Sequence, residues 1–187
     1  MLVERSECEV TEHTVRIPGL PPEFSGYSIG LVTDVHSSLY MTEADMRRYV
    51  KVLNGMGTDM ILVGGDLVNG MGDEIDPFAE AFSALRAPDG IYGVLGNHDF
   101  YTREADRVAS TATEGGVHIL RDESRIIRRG GSSLTLLGID DTGTGPLATQ
   151  RIRRAAANAG TAGPRILLFH RPYFFREAAA EGVDLML

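Results

Sequence analysis

The chain has 187 residues, 43% hydrophobic and 24% charged, a balance typical of one globular domain over residues 1–187. Its 18 basic and 26 acidic residues give a net charge of −8, which argues against non-specific nucleic-acid binding because phosphate neutralisation needs a basic face. The single cysteine, Cys8, excludes a disulfide framework and a cysteine-based zinc site, and no apolar run approaches the ~20 residues of a membrane span.

The first half of the chain alternates strand and helix patterns. Alternation and apolar runs predict strands at 8–17, 27–33, 59–64 and 91–95. Thr42 and Asp45 have the spacing of a capping box, so a helix is expected to begin there. Further helices are expected after Asp76 and from about Thr102.

The second half of the chain is richer in short strands. Strands are predicted at 117–120, 124–128, 133–139 and 165–169. The loop at 140–146 leads to a helix, a short helix follows Pro172, and the chain closes with an apolar run at 183–187. Together the two halves predict a layered α/β architecture with mixed sheets.

Polar side chains follow four of the predicted strands, at the point where each strand ends. They are Asp34 and His36, Asp66, Asn97, and His170. Ligands of open α/β sheets bind at these carboxyl ends. Oxygen and imidazole donors without a thiolate suit Mn²⁺, Fe²⁺, Zn²⁺ or Mg²⁺. One carboxylate, most plausibly Asp66, could bridge two ions held ~3.5–4 Å apart.

His98 and Asp99 follow Asn97 directly and are the candidate catalytic residues. If Asn97 is a metal ligand, His98 borders the substrate, and Asp99 is expected to hold its ring and favour the protonated form of a general acid. Taken singly, each strand-end residue also fits a cap, a turn or a packed histidine, whereas the full set requires four such coincidences. Asp140 and Asp141 are read as loop and capping residues.

One nearby arginine is left open. Arg171 could contact a phosphate oxygen or form an ion pair at a surface turn, and the sequence favours neither.

Four motifs occur here in the order and strand context of a known family. They are Asp34-x-His36, Gly65-Asp66, Gly96-Asn97-His98-Asp99 and His170. From about residue 26 onward the chain therefore resembles the calcineurin-like metallophosphoesterases. Two segments, 88–92 and 167–172, are similar more narrowly to the bacterial branch of UDP-diacylglucosamine hydrolases of lipid A synthesis.

The resemblance implies two facing mixed β-sheets with helices outside, and two divalent metal ions between the loops. The ions would share Asp66, and the other ligands divide into two sets: Asp34 and His36 for one ion, Asn97 and His170 for the other. His98 would be the catalytic acid and Asp99 its partner. The implied activity is hydrolysis of a phosphomonoester, phosphodiester or pyrophosphate by a metal-bridging hydroxide.

One family motif is missing from the chain. In the family a Gly-His-x-His segment follows a strand like 183–187, and its histidines complete both metal shells. We therefore expect a C-terminally truncated phosphoesterase that is weak or inactive by itself. The alternative is a non-catalytic binding or scaffold module of the same fold.

The expected partner is a phosphorylated small molecule or a lipid-linked nucleotide, and no nucleic acid is expected. The cysteine content fits a reducing, cytoplasmic location, and the lipid A resemblance adds peripheral membrane contact as an expectation. Substrate, native metal and oligomeric state are open at this stage.

Overall fold

The computed structural model describes residues 8–141, 146–157, 159 and 163–187. The strands are β1 (Ile29–Val32), β2 (Met60–Val63), β3 (Ile91–Gly93), β4 (His118–Ile119), β5 (Glu123–Arg129), β6 (Ser132–Gly138), β7 (Arg165–Leu168) and β8 (Leu185–Met186). The α-helices are α1 (Glu43–Met56), α2 (Ile75–Phe82), α3 (Asn97–Tyr101), α4 (Ala105–Glu114), α5 (Pro146–Ala157) and α6 (Phe175–Ala180). Residues 142–145 of the predicted loop at 140–146 lie outside the described residues.

The first sheet has the order β1-β2-β3-β4, and every pairing in it is parallel. Parallel neighbours need crossover connections, which α1, α2 and α4 supply between successive strands. The capping box predicted for α1 is confirmed, because Thr42 Oγ1 accepts from Asp45 N–H at 3.3 Å and the Asp45 carboxylate accepts from Thr42 N–H at 3.2 Å. The helix ends at Gly57, whose left-handed backbone (φ 62°) favours glycine.

The second sheet has the order β5-β6-β7-β8. An antiparallel hairpin joins β5 to β6, and β6, β7 and β8 then pair in parallel. The predicted α/β fold with two sheets flanked by helices is thus confirmed. Only the second sheet is mixed, because the described strands of the first sheet are all joined through helices and no hairpin enters it.

Alternating side chains on the strands build a helix–sheet–sheet–helix sandwich. In β2, Met60 and Leu62 belong to the apolar core that includes strands of both sheets. Ile61 and Val63, which point the opposite way, pack in the core beneath α1, α2 and α4. A third core lies on the outer side of the second sheet, where Leu167 packs with residues of α5 and α6. The loops that follow β3 and β6 are hydrogen-bonded to each other, so these strand ends of the two sheets lie at one end of the molecule.

Two local predictions were wrong. Residues 8–17 form neither strand nor helix, and Val10 and Val15 are exposed, because no described strand pairs with this segment and alternation alone does not bury a strand. The motif at 96–99 does not simply end a strand, since α3 begins at Asn97.

Within the part of the chain that the structure describes, no helix has both the length and the apolar character that crossing a bilayer requires.

Candidate metal centre

The loops after β1 and β2 run side by side at the carboxyl edge of the first sheet. The main-chain N–H of Asp34 donates to Gly65 O at 3.1 Å, and that of His36 donates to Asp66 O at 2.9 Å. These bonds extend the parallel pairing past the strand ends. Side chains that are about 30 residues apart in the chain are therefore held on one surface.

Two glycines let the loops after β2 and β3 approach closely. A Cβ at Gly96 would collide with the carboxylate and main-chain nitrogen of Asp66. A Cβ at Gly65 (φ 94°) would lie 2.7 Å from Gly96 N and 2.9 Å from His170 Nδ1. Only glycine fits either position, so the Gly-Asp and Gly-Asn-His-Asp motifs have a steric basis.

Three donor candidates have a strained backbone. Asp34, His36 and Asp66 have φ values of 55°, 49° and 52°, in the left-handed region that residues with a Cβ rarely adopt. Such conformations are each costly and occur where the surroundings enforce them, commonly at functional sites. Here the hydrogen bonds between adjacent loops enforce them.

Asp66 is at the centre of the donor cluster. Its side chain is 4% exposed, and its Oδ2 lies 3.5 Å from His36 Nε2 and 3.3 Å from His170 Nε2. Its Oδ1 accepts the main-chain N–H of His98 at 2.9 Å. Burial would raise the pKa of Asp66, but the contacts with His170 and His98 outweigh it and lower the pKa. Asp66 is therefore an ionised carboxylate facing two imidazoles.

The tautomer of His170 is fixed by its second ring nitrogen. Its Nδ1–H donates to the carbonyl oxygen of Gly64 at 2.9 Å, which turns Nε2 towards Asp66. Histidines that bind metals usually donate their other ring nitrogen in this way. Burial lowers the pKa of His170, but the contacts with Asp66 and Gly64 outweigh burial and raise it to about 9. A divalent cation competes with that proton for the same atom.

Asp34 and His36 complete the side of the cluster formed by the first loop. His36 Nε2 lies 3.7 Å from Asp34 Oδ1. The other carboxylate oxygen of Asp34 accepts from Thr33 Oγ1 at 2.7 Å. His36 Nδ1 is buried and has no hydrogen-bond partner among the described residues. No hydrogen bond at Nδ1 therefore opposes the binding of a ligand at Nε2.

Asn97 begins α3, and its amide nitrogen donates to the Tyr101 hydroxyl at 3.1 Å. The two residues are one helical turn apart, at the i,i+4 spacing that places side chains together. An amide binds a metal through its oxygen, so a donor bond from the nitrogen orients the group for that role. Sequence reasoning missed Tyr101 because it did not place a helix at Asn97.

His98 lies beside the other imidazoles. Its Nδ1–H donates to the carbonyl oxygen of Asn69 at 2.9 Å, which leaves Nε2 as the atom able to exchange a proton. Its ring lies edge-on to that of His36, with centroids 4.6 Å apart, and 4.9 Å from the ring of Tyr101. The partner is a main-chain carbonyl, which no side-chain pattern could have indicated.

The expected contact between Asp99 and the His98 ring is wrong. The Asp99 carboxylate is fully buried and accepts three main-chain N–H groups, from Leu67 at 2.9 Å, Val68 at 3.1 Å and Gly96 at 2.8 Å. Burial raises the pKa of Asp99 to about 7, and these N–H donors limit the rise. Asp99 therefore joins the loop after β2 to the start of α3. The hydrogen bonds of its carboxylate are to main-chain nitrogens, and the His98 ring donates to the Asn69 carbonyl instead.

The structure brings together four of the five predicted donors, and His98 with them, in two overlapping groups. In each group one ligand atom per residue lies within 4.8 Å of the others: His36, Asp66 and His98 in one, and Asp34, Asp66 and His170 in the other. The implied sharing of Asp66 agrees with this geometry, whereas the two sets around it divide differently. Carboxylate oxygens and neutral imidazole nitrogens in such groups fit a divalent transition metal or Mg²⁺. The metal role of these residues, and of Asn97, stays a prediction.

Two further carboxylates lie at the same edge of the molecule, after β6. Asp140 Oδ2 accepts from Arg121 Nε at 2.9 Å, and Asp141 Oδ2 accepts from Arg171 Nε at 2.5 Å. The main-chain N–H of Asp141 also donates to Leu95 O at 3.0 Å, which joins the two sheets. Arg171 is thus held in an ion pair, one of the two roles that the sequence left open.

Comparison with known proteins gives a family match over most of the chain. The family model described as calcineurin-like phosphoesterase matches residues 27–184.

Several relatives carry the same description in their names. A transmembrane protein with metallophosphoesterase domain from Danio rerio is 25% identical over 96% of this chain, which covers 43% of that protein. The uncharacterized metallophosphoesterase YkuE from Bacillus subtilis is 28% identical over 74% of this chain, which covers 50% of it. An uncharacterized metallophosphoesterase from Aquifex aeolicus is 28% identical over 95% of this chain, which covers 67% of it. The chain thus spans half or less of the first two proteins.

Two solved structures show the fold. TT1561 of Thermus thermophilus aligns with a TM-score of 0.55 at 21% identity, over 80% of this chain and 70% of that one. The NAD nucleotidase of Haemophilus influenzae aligns with a TM-score of 0.52 at 17% identity, over 84% of this chain and 36% of that one. At these identities the similarity concerns the fold alone.

Proposed function

The chain belongs to the calcineurin-like phosphoesterase family, and from that premise we propose that it hydrolyses phosphoesters with two divalent metal ions. The ions would be held by Asp34, His36, Asp66, Asn97 and His170. When bound, they would activate water and neutralise charge on the phosphoryl group. The single observation that carries the proposal is the position of Asp66, a buried ionised carboxylate that belongs to both donor groups.

His98 is proposed as the general acid for the leaving oxygen. The Asn69 carbonyl holds its Nδ1–H, so Nε2 can carry the proton that is donated. Tyr101 and His36 flank the ring and limit its rotation. Asp99 supports the same loop through main-chain bonds and is assigned a positioning role, which replaces the direct contact expected from the sequence.

The narrower features remain proposals drawn from the sequence. Similarity of segments 88–92 and 167–172 to the UDP-diacylglucosamine hydrolase-like branch supports a lipid-linked nucleotide as one substrate class and a cytoplasmic site of action with peripheral membrane contact. Phosphorylated small molecules are the other substrate class. Mn²⁺, Fe²⁺, Zn²⁺ and Mg²⁺ all suit the donor set.

Metal titration combined with hydrolysis tests the proposal. The full natural protein, stripped with a chelator, is titrated with Mn²⁺, Zn²⁺ or Mg²⁺, and bound metal and hydrolysis of p-nitrophenyl phosphate and bis(p-nitrophenyl) phosphate are measured. We expect two ions per chain and turnover that requires them. Metal binding without turnover of either ester under any ion would instead favour the non-catalytic binding module.

The role of His98 is tested separately. His98→Ala should retain the metal while turnover falls by roughly 10²–10⁴-fold, the usual size of lost general acid catalysis. His118→Ala, which removes a half-exposed imidazole on β4, serves as the matched control and should change neither quantity. Because His98 shares a donor group with His36 and Asp66, loss of metal in His98→Ala would reassign it as a ligand.

A further inference from the structure

Large apolar side chains are exposed around the candidate metal centre. Among the large hydrophobic residues that the structure describes, the four most exposed are Leu39 (92%), Tyr40 (78%), Met71 (62%) and Tyr101 (61%). They lie on the loop after β1, the loop after β2, and α3, which are the three segments that supply the donors of the first sheet. We call these four residues the apolar rim.

The three segments that bear the apolar rim are in direct contact. Ser37 forms a parallel bridge with Val68, and the N–H of Asn69 donates to Ser37 O at 3.2 Å. The next residue, Gly70, packs against Tyr101, whose Cβ would be 3.4 Å from an added Cβ. The segments that bear the apolar rim therefore lie next to one another beside the donors.

Exposed apolar residues scattered singly need no explanation, but a group beside a site does. The next most exposed large hydrophobic residues, Phe175 (58%) and Val15 (54%), lie on α6 and in the segment 8–17, away from the three segments of the rim. Met56 (40%) and Ile126 (38%) are less exposed and lie at the end of α1 and on β5.

The apolar rim has no charged member, whereas the donors next to it are carboxylates and imidazoles. Leu39 and Tyr40 follow His36 on the same loop, and Tyr101 follows His98 on α3, so polar donors and exposed apolar side chains are neighbours on these segments.

We propose that the apolar rim binds the organic group of the substrate, which is a phosphoester with an apolar alkyl or aryl group next to phosphorus. This inference rests on the proposed function, because the metal centre must hold the phosphoryl group. The donors and the rim share three segments, so a ligand anchored at the donors can place its organic group over the rim. Transfer of each methylene from water to an apolar contact then strengthens binding, by about two- to fourfold on an open surface.

Binding of alkylphosphonates of increasing length tests the inference without requiring turnover. Calorimetry with the Mn²⁺-loaded natural protein is performed with ethyl-, butyl- and hexylphosphonate. We expect the Kd to fall about two- to fourfold per methylene. In the variant Leu39→Ser/Tyr40→Ser/Met71→Gln this dependence should be nearly lost. Tyr101 is left unchanged because it also contacts Asn97 and His98.

The matched control is Met56→Gln/Ile126→Thr, which removes exposed apolar side chains elsewhere and should keep the full dependence on chain length. Retained metal content and an unchanged melting temperature show that the rim variant is folded, and the three single substitutions, each reducing the dependence in part, provide a second measurement.

The outcomes distinguish this inference from the proposed function. Phosphonates that bind equally at all lengths overturn the rim and leave the phosphoesterase standing. Absence of phosphonate binding together with absence of ester hydrolysis overturns both. Co-sedimentation with phosphatidylcholine vesicles that is lost in the rim variant, with no dependence on chain length, identifies the rim as a lipid-surface contact and also overturns the proposal.

Discussion

Two pairs of carboxylates at the same end of the molecule have opposite surroundings. Asp34 and Asp66, after β1 and β2, face imidazoles at 3.3–3.7 Å. Asp140 and Asp141, after β6, each accept from an arginine at 2.9 Å or less. Residue type and place at a strand end are the same in both pairs. The two pairs differ in their counter-ions, and Asp34 is also more exposed than Asp140 and Asp141.

The counter-ion decides what a carboxylate can still do. A guanidinium is always charged and occupies a carboxylate with directed N–H donors. An imidazole can give up its proton to a competing cation, even where a carboxylate raises its pKa as Asp66 does for His170, and then offers a lone pair to the same cation that the carboxylate binds. The first-sheet pair is therefore open to a metal ion, while the second-sheet pair is already neutralised. This comparison supports the prediction that Asp140 and Asp141 are loop residues and not additional ligands.

The largest expected effect comes from replacing one aspartate of each pair with asparagine. Asp66→Asn removes the charge shared by both donor groups, so metal affinity should fall by more than the roughly 10–100-fold typical of outer-partner changes, and turnover should fall with it. Asp141→Asn should keep the metal but lower the free energy of unfolding by about 1–3 kcal/mol, because a buried charge-assisted bond is weakened.

Metal analysis and urea unfolding of the two variants measure this difference. If Asp141→Asn loses metal as completely as Asp66→Asn, the two pairs are not distinct and the comparison fails.

A smaller effect is expected from a change at Tyr101, whose hydroxyl accepts a hydrogen bond from the predicted metal ligand Asn97. Tyr101→Phe removes the hydroxyl that accepts the amide N–H but keeps the ring against His98. Metal affinity should fall about tenfold, because the amide oxygen of Asn97 is no longer oriented. This is the lower end of the range typical for loss of a residue that orients a metal ligand. Isothermal titration with Mn²⁺ measures the change. Tyr49→Phe on α1 is the control, and an equal loss there would count against orientation by Tyr101.

The smallest effect concerns the acid titration of Asp140. Burial raises the pKa of Asp140, and Arg121 opposes that rise. A raised pKa means that the folded chain holds the proton more readily than the unfolded chain, so this group contributes stability at low pH that is lost as the pH rises above its ordinary value of 3.8. Asp140→Asn should remove that decline.

Urea unfolding from about pH 4 upward, compared between the wild type and Asp140→Asn, measures the effect. A wild type that instead gains stability relative to the variant over this range would show that Arg121, and not burial, dominates.

Some features of the fold follow from local sequence. The Thr42–Asp45 capping box defines the start of α1, and the alternation of strand and helix patterns in the first half specifies parallel pairing. Alternation at 8–17 was misleading, because a strand also needs a neighbour with free hydrogen-bonding groups and a core to cover. Local pattern thus predicted the helices and strands that a core buries.

In the candidate site, too, some features could be predicted from the sequence and others could not. Positions after strand ends predicted that Asp34, His36, Asp66 and His170 would meet, since carboxyl ends of parallel strands share one edge. The partner of Asp99 could not be predicted, because its carboxylate accepts from N–H groups about 30 residues earlier in the chain. Two other partners could not be predicted either: the Asn69 carbonyl, which accepts from His98, and the Tyr101 hydroxyl, which accepts from Asn97. Both contacts depend on α3 beginning at Asn97.

The sequence by itself determined which donor types stand at the carboxyl ends of the strands, because strand periodicity and the glycine motifs are local properties. Only the tertiary structure decided which carboxylates remain free for a cation. Asp66 and Asp141 both follow an apolar strand, and they differ through groups that distant parts of the chain deliver: His170 to one and Arg171 to the other. The physical reason is that a carboxylate's capacity to bind a cation depends on the charge already beside it, and that charge is set by packing.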